Sequence, residues 1–396
     1  MSRVRNRVNK EAWKKLREVC IIGTGMHKFG RWPDKGVEAM SRVAIQEALD
    51  DAGVEFDDIQ AGWCGRVSNI TSTGLNVFGA MARNGILVDN VEKACASSST
   101  AVRIATWAVA AGIYDVVLCV GVEKMERGLV TAGVGGAGGD PLDAFFAYQM
   151  GLFLMPAEYA LRAVRHMSEF GSTPEQFAQV SVKSHKNALM NPYAQYQIDM
   201  SLQDVMNDVM IADPLTRSMC APSTDGAAAT VICAKEVAHK YKGKPITIAG
   251  WSSGTPEYNP RAVGDDVTEG FVRRMGQEAY DLADVTPKDI KVLQVHDAFA
   301  PGEIFAIEEL GFCEEGKGGQ FVWDGAADID GEVAVNTDGG LESRGHPMGA
   351  TGIAMLAEIV KQLRGEAGDR QVPGDPEYGM IQNMGVGGCN IFILKT

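Results

Sequence analysis

Cys95 has the clearest potential for covalent chemistry in this chain. It follows the short apolar stretch VEKA and opens CASSSTAVRIATWAVAAG (95–112), a run of small residues with helical spacing. A thiol at the start of a helix lies near unpaired N–H groups and the positive end of the helix dipole. Both stabilise the thiolate and can bring a cysteine pKa to roughly 3.5–7.5. Cys95 is therefore a candidate nucleophile; the alternative is a buried cysteine that packs as a small hydrophobic residue.

Two histidines are candidates for moving protons beside this thiol. His346 lies in SRGHPMGATG (343–352), where glycines and a proline hold it in an irregular turn just before a predicted helix. His296 ends the predicted strand KVLQVHDAF (291–299), and α/β folds place ligand-facing residues at strand ends. The alternative for His346 is a turn histidine that binds its own backbone.

A glycine-rich turn, NMGVGGC (383–389), separates the last two predicted strands. Glycines here allow a backbone N–H to point into a cavity and donate to an oxyanion. The alternative for the glycines alone is a plain tight turn.

Basic residues form a second possible site. Arg165, Lys183, His185 and Lys186 fall in one segment and could help to hold a phosphate group. The alternative is a solvated charge cluster. No pair of the eight cysteines has CxxC spacing, so the sequence predicts no metal site.

Short apolar runs alternate with helical patterns and predict an α/β protein that positions these residues. The predicted strands begin with REVCIIGTG (17–25), DIQAGWCGRV (58–67) and YDVVLCVGVEKM (114–125), and the alternation resumes at DGAAATVICAKE (225–236). We predict an N-terminal half (1–125 and 211–240), an inserted loop domain over the active site (126–210) and a C-terminal half (241–396).

Composition narrows the class of protein. The chain has 396 residues, which favours two core-forming halves, and a formal net charge of −14, which argues against a general nucleic-acid binder. No apolar run is long enough to span a bilayer, so we expect no membrane partner. Cysteines scattered through apolar runs are typical of reduced thiols and favour a cytoplasmic location.

Taken together, these segments resemble the thiolase superfamily over nearly the whole chain. KACASSSTA resembles its nucleophile segment, DGAAA the start of its fifth strand, and GHPMGATG its GHP–G motif. HDAF (296–299) is similar to the HDCF motif of the sterol-carrier-protein-type, acetyl-CoA acetyltransferase-like branch. The resemblance implies two duplicated βαβαβαββ halves in a five-layer αβαβα arrangement.

The resemblance also implies roles for the matched residues. Cys95 would attack a thioester or 3-oxoacyl carbonyl while His346 takes its proton, and His296 and His346 would stabilise the enolate oxygen. The N–H groups of Cys95 and Gly387 would form the oxyanion hole. Coenzyme A would be a substrate, no cofactor would be bound permanently, and the chain would form a homodimer or tetramer. A small zinc-ribbon/OB-fold (DUF35-type) subunit is a possible partner.

The chain departs from the family at the second cysteine, which serves thiolases as acid and base for the α-carbon. Its two usual positions are occupied by Gly385 and Ala298, and Cys389 is the substitute nearest in sequence. Condensation must remove a weakly acidic α-proton, whereas cleavage has only to protonate a stabilised enolate. We therefore expect thiolytic (retro-Claisen) cleavage.

Other interpretations stay open at this point. A retro-aldolase of the thiolase fold, a condensing enzyme similar to ketoacyl synthases, and a non-catalytic acyl-CoA or sterol binder are the alternatives. For a thiolase, an aromatic or branched substrate such as benzoylsuccinyl-CoA would need a wide pocket. Its candidate lining residues are Trp63, Phe78, Phe145, Phe146, Tyr148 and Phe153.

Overall fold

The computed structural model describes residues 8–67, 71–128, 145, 148–149, 154–256 and 270–396. The strands in this part of the chain are β1 Val19–Met26, β2 Ala61–Gly65, β3 Leu87–Val91, β4 Val116–Glu123, β5 Met210–Ala212, β6 Leu215–Thr216, β7 Gly226–Ala234, β8 Ile246–Gly254, β9 Ile290–Val295, β10 Ala334–Val335, β11 Tyr378–Gly385 and β12 Gly388–Lys395. The α-helices are α1 Lys10–Trp13, α2 Val37–Ala52, α3 Thr73–Gly79, α4 Ser97–Ala110, α5 Met155–Phe170, α6 Pro174–Ala188, α7 Leu202–Met206, α8 Phe271–Ala283, α9 Pro301–Glu309, α10 Gly318–Trp323 and α11 Thr351–Arg364.

Two five-stranded halves with the same topology form the sheet. The described strands run in the order β10-β9-β11-β12-β8-β1-β7-β4-β2-β3. Numbered within its own half, each set follows the order 1-5-4-2-3, with β8 and β1 as the first strands. These two strands pair over only two positions, Cys20 with Thr247 and Ile21 with Ile246. The repeated order confirms the duplicated α/β fold, although the halves share no obvious sequence repeat.

The strands and helices stack in layers that bury the central helices most deeply. α2 packs on β1 and β7 at one outer face, α8 packs on β8 and β12 at the other, and α4 and α11 lie between. β1 and β4 are buried at every position, which explains their continuous apolar sequences.

The small residues of α4 are required by its contact with α11. A Cβ atom at Gly352 would lie 2.7 Å from the backbone nitrogen of Ser99, closer than real Cβ contacts. The two helices therefore approach backbone to backbone. This close approach places the segment before α4, which holds Cys95, beside the segment before α11, which holds His346.

The region between β4 and β7 forms helices that pack against the C-terminal half. α5 contacts α9, and α6 contacts α10 and the turn at 340–344. α6 begins with a capping box in which Thr173 and Gln176 bind each other's backbone N–H groups. Part of this region lies outside the described residues, and our boundaries 126–210 stay a prediction. In the part of the chain that the structure describes, no helix is both long and apolar enough to cross a bilayer.

Candidate active site

Cys95 lies in a strained turn just before α4. Ala94 has a φ of +47°, a left-handed conformation that costs an L-residue roughly 1–2 kcal/mol. The turn is held by Ser97, whose Oγ accepts from the Lys93 N–H at 2.9 Å and donates to the Ala94 carbonyl at 2.6 Å. The helix begins at Ser97 rather than at Cys95. The thiol is thus presented by the turn and not by the first turn of the helix.

His346 is oriented to accept a proton from Cys95. Its Nε2 lies 3.2 Å from the Cys95 Sγ, and its Nδ1 lies 2.8 Å from the Thr351 Oγ1. The Thr351 hydroxyl donates to the Pro347 carbonyl at 3.0 Å, so its oxygen accepts from Nδ1–H. This assigns the proton to Nδ1 and leaves the Nε2 lone pair facing the thiol. The geometry is that of a general base.

His296 takes the opposite tautomer. Its Nδ1 lies 3.3 Å from the Nδ2 of Asn383, an amide whose oxygen accepts from the Ser99 hydroxyl at 2.6 Å. The amide nitrogen must therefore donate, which makes Nδ1 the acceptor and puts the proton on Nε2. The two histidine rings stand edge to face with centroids 5.1 Å apart. An Nε2–H donor beside a base is the arrangement needed to stabilise a developing oxyanion.

Asn383 is a further candidate site residue, which the sequence analysis did not name. Besides His296, its Nδ2 reaches the carbonyl oxygen of Cys95 at 3.3 Å. One amide therefore positions the nucleophile's backbone and one histidine together. Its place at the start of the glycine-rich NMGVGGC segment was the available signal, but we assigned that segment a role only through its glycines.

The structure brings Cys95, His296 and His346 together. Their potential ligand atoms lie within 4.8 Å of one another. The same sulfur and two imidazole nitrogens could also hold a zinc ion, for which a thiolate and neutral histidines are suitable ligands. We predicted no metal site, so assays of this protein need a chelator control.

The electrostatics correct our expectation of a low thiol pKa. Although the sulfur opens onto a cavity, desolvation by the surrounding protein raises the pKa of Cys95 to about 12. Desolvation also lowers the pKa of His346 well below 6.5, and the charges of His296 and Arg344 act in the same direction. The pKa of His296 falls to about 3 for the same main reason. The resting site is therefore a neutral thiol beside two neutral imidazoles.

This charge state predicts the pH dependence of alkylation. Only the thiolate reacts, and its fraction grows about tenfold per pH unit below the thiol pKa. We expect the rate of Cys95 carbamidomethylation by iodoacetamide, followed by peptide mass spectrometry, to keep rising up to pH 9. A plateau above about pH 7.5 would show instead that the thiol is already ionised at neutral pH.

The predicted oxyanion-hole residue Gly387 lies in the tight turn between β11 and β12, with a φ of +70°. This turn packs against the nucleophile segment, since a Cβ atom at Gly385 would lie 2.2 Å from the Lys93 carbonyl oxygen. Gly387 lines the same cavity as Cys95. The direction of its N–H group, and so its role as a donor, stays a prediction.

No cavity-lining residue in the described part of the chain other than Cys95 is a cysteine. Ala298 and Gly385 both line the cavity, but only Ala298 has space for a side chain. Cys389, our candidate substitute acid and base, is fully buried and does not line the cavity. Burial also raises the pKa of Cys389 to about 12. The structure therefore does not support Cys389 in this role.

The four basic residues proposed for coenzyme A binding do not form one site. Lys183 is buried and bound to Glu303 at 3.1 Å and to the Val335 carbonyl at 2.7 Å, so it cannot reach a phosphate. His185 is buried with its Nδ1 at 3.1 Å from the Ile198 carbonyl. Arg165 pairs with Glu169 at 2.9 Å, and Lys186 is exposed. The prediction failed because the packing of α6 buries Lys183 and His185 and leaves Lys186 on its exposed side.

The cavity in front of Cys95 has a volume of about 330 Å³. Its aromatic lining consists of Tyr159, Phe271, Phe299 and Phe305. None of the six aromatic residues that we proposed is among the lining residues: Trp63 and Phe78 pack in the core, Phe145 and Tyr148 are exposed, and Phe146 and Phe153 lie outside the described residues. The aromatic character of the pocket was expected; the structure does not bear out the four described candidates as lining residues, and Phe146 and Phe153 stay predictions.

Comparison with known families agrees with this geometry. Residues 19–236 match the N-terminal domain of thiolases, and residues 261–394 match the thiolase C-terminal domain-like family. The chain belongs to the thiolase family. As a member it is an acyltransferase that uses coenzyme A as a substrate, and its enzyme class is as predicted.

Three relatives place the chain more closely within the thiolases. An acetyl-CoA acetyltransferase of Methanothermobacter thermautotrophicus is 40% identical over 379 residues, covering 93% of this chain and 97% of the relative. The benzoylsuccinyl-CoA thiolase subunit BbsB of Thauera aromatica is 34% identical over 379 residues, covering 94% and 96%. The solved Ltp2-ChsH2(DUF35) aldolase has a TM-score of 0.84 at 27% identity, covering 96% and 98%. These likenesses confirm the acetyl-CoA acetyltransferase-like branch.

Proposed function

We propose that this thiolase cleaves a bulky 3-oxoacyl-CoA by thiolysis through an acyl-Cys95 intermediate. The observation that carries the proposal is the Cys95 thiol at 3.2 Å from a neutral His346 in a cavity of about 330 Å³. A neutral base can take the thiol proton as the sulfur attacks, so a high resting pKa of Cys95 does not prevent the reaction.

The reaction would proceed in two balanced halves. His346 accepts the thiol proton while the Cys95 sulfur bonds to the C3 carbonyl carbon, and the C2–C3 bond then breaks. The electron pair passes to the departing acyl-CoA as an enolate, whose oxygen faces the Nε2–H of His296. A proton returns to C2, from His346 or from the incoming thiol. Coenzyme A, losing its own proton to the site, then takes the acyl group from Cys95.

The proposed direction rests on the chemistry of the two starting materials. Both directions pass through the same proton transfer at the α-carbon, so the missing second thiol slows both. Condensation must begin by removing a proton from the weakly acidic α-carbon of acetyl-CoA, whereas cleavage begins at an activated 3-oxo carbonyl and ends by protonating an enolate. Cleavage is therefore the direction that we propose.

The substrate class and partners are part of the proposal. Tyr159, Phe299 and Phe305 offer aromatic faces to an aromatic or branched acyl group. The resemblance to the benzoylsuccinyl-CoA thiolase subunit supports that compound as a candidate substrate. We also propose a homodimer or tetramer in the cytoplasm. A DUF35-type subunit is a further proposed partner, in line with the Ltp2-ChsH2(DUF35) aldolase.

The proposed direction of the reaction can be tested by restoring a cysteine at position 298. We expect the wild type to cleave acetoacetyl-CoA and aromatic 3-oxoacyl-CoA esters at least about 100-fold faster than it condenses acetyl-CoA, since condensation must begin at a weakly acidic α-carbon. Ala298→Cys should raise the condensation rate by at least about tenfold. Rates are measured by thioester absorbance at matched concentrations with a chelator present.

Ala298→Ser is the matched control, because it adds a side chain of similar size with little acid–base capacity at neutral pH. Faster condensation than cleavage by the wild type would overturn the proposed direction. Gly385→Cys is not a useful alternative, since its Cβ atom would collide with the Lys93 carbonyl.

A retro-aldolase is the second candidate, favoured by the likeness to the Ltp2-ChsH2(DUF35) aldolase. Such a reaction would release a ketone or aldehyde without consuming coenzyme A. Cys95 beside a base counts against it, because aldol cleavage needs no acyl-enzyme. Product formation from a 3-hydroxyacyl-CoA in the absence of free coenzyme A would favour this candidate over thiolysis.

A further inference from the structure

The cavity that holds Cys95 carries charged side chains in its otherwise largely apolar wall. Arg162 and Glu158 reach the cavity from α5, and Glu309 reaches it from the end of α9. Charged groups in a partly buried pocket cost desolvation free energy, so a pocket built only for an alkyl or aryl group would not need them.

A pair of aromatic side chains lies near both Cys95 and these charged groups. Tyr159 packs on Phe299 with ring centroids 4.7 Å apart. Cys95, Arg162 and Glu309 all lie close enough to Tyr159 to affect the pKa of its hydroxyl. An acyl group on the Cys95 sulfur can therefore extend along this aromatic pair towards Arg162.

The guanidinium of Arg162 lies over two aromatic rings that line the cavity. Its central carbon lies 4.6 Å from the ring centroid of Phe305 and 5.7 Å from that of Tyr159. A guanidinium beside aromatic rings combines cation–π contacts with N–H donors that can bind a carboxylate in a bidentate way. The contact with Glu309 is long, at 4.0 Å from Nη2 to Oε1, whereas charge-assisted hydrogen bonds are usually about 2.7–2.9 Å.

Glu309 can act as a second donor at the same place. Desolvation raises its pKa to about 7 in spite of Arg162 and Arg273. A large share of the Glu309 side chains is therefore protonated at neutral pH. A protonated carboxyl and a guanidinium can donate together to one anionic acceptor.

We infer that Arg162 and Glu309 form a subsite for a second carboxylate on the acyl group, so that the preferred substrates are 3-oxoacyl-CoA esters of dicarboxylic acids. This inference rests on the proposed thiolysis. It adds a specificity-determining pair at the far end of the acyl pocket, away from the reacting atoms.

The test compares CoA esters of equal length that differ only in the terminal group. The probes are 3-oxoadipyl-CoA against 3-oxohexanoyl-CoA and the corresponding pairs of eight and ten carbons. In at least one pair we expect kcat/KM to favour the carboxylated ester by about tenfold or more. Arg162→Gln should lower that ratio by about 10- to 100-fold, as expected for a lost hydrogen bond to a charged group. Arg42→Gln, at an exposed arginine of α2, is the matched control and should leave the ratio unchanged.

Glu309→Gln gives a pH signature that a merely structural role would not produce. In the wild type the preference in kcat/KM for the carboxylated ester should decline between pH 7 and 9, because Glu309 ionises and repels the substrate carboxylate. Glutamine still donates but cannot ionise, so the preference should persist to pH 9 in the variant. The charged groups facing Glu309 that would modulate this titration are Arg162, Glu158, Arg273, Glu308 and Glu315.

The outcomes separate the inference from the proposed function. Thiolysis of neither member of any pair would contradict the proposed function. Thiolysis of both members at similar rates, or an Arg162→Gln ratio equal to the wild type, would overturn the carboxylate subsite alone.

Discussion

Replacing Cys95 by serine is expected to lower kcat/KM for thiolysis by roughly 10⁴-fold or more. Removal of a covalent nucleophile costs enzymes that use one about this much, because the reaction must then proceed without its acyl intermediate. Serine keeps the size of the side chain and can still contact His346, but its hydroxyl is a far weaker nucleophile than a thiol. The decisive readout is intact-mass spectrometry after mixing with substrate in the absence of free coenzyme A. The wild type should gain the mass of one acyl group and Cys95→Ser should not.

Cys313→Ser is the matched control. Cys313 is also partly exposed, but it does not line the cavity of Cys95. We expect kcat/KM of the Cys313→Ser variant to stay within about threefold of the wild type, as for most substitutions away from an active site. A Cys95→Ser variant that retains a tenth of wild-type activity would remove the acyl-enzyme from the mechanism.

The sequence was informative about the site because each of its main parts is a local signal. A thiol before a run of small residues, a histidine between glycines, and a histidine at a strand end can each be read from a few residues. The fold then brings them together because Ser99 on α4 and Gly352 on α11 are in backbone contact. The run of small residues after Cys95 is thus required by helix packing.

The properties that depend on distant segments were not predictable. The pKa of Cys95 was expected to be low from the helix start, but the sequence could not show that burial raises it to about 12. Asn383 gains its role only when the Ser99 hydroxyl, 284 positions away, fixes the orientation of its amide. No sequence pattern marks such a contact.

The prediction of the residues that line the cavity was wrong at its described positions for a related reason. We proposed Trp63 and Phe78 among others, whereas Tyr159 on α5 and Phe305 on α9 line the described cavity. Which face of α5 turns inward is decided by its packing on α9, an element about 140 residues later in the chain. Lys183 was misassigned in the same way, because its partner Glu303 also comes from α9.

His346→Ala is expected to lower kcat for thiolysis by about 10³- to 10⁴-fold. A thiol with a pKa near 12 is almost wholly protonated at neutral pH, so its attack depends on a base that removes the proton as the bond forms. We propose His346 as that base because its Nε2 lone pair faces the sulfur at 3.2 Å. His296→Ala, which removes a donor rather than the base, should cost less, about 10²- to 10³-fold. Steady-state assays and single-turnover acylation measured by quenched-flow mass spectrometry check both values.

Two further measurements separate a base from a residue that only packs. Exogenous imidazole can enter the space left by His346→Ala and should restore part of the acylation rate, whereas it should not restore Cys95→Ser. His346 has a pKa well below 6.5, so its base form persists as pH falls, and the acid limb of wild-type kcat/KM should lie below pH 6.5. His239→Ala, at an exposed histidine remote from the cavity, should change neither kcat nor this profile. A wild-type acid limb centred near pH 6.5 or above, or a full loss of activity that imidazole leaves untouched, would mean that the proton of Cys95 leaves by another route.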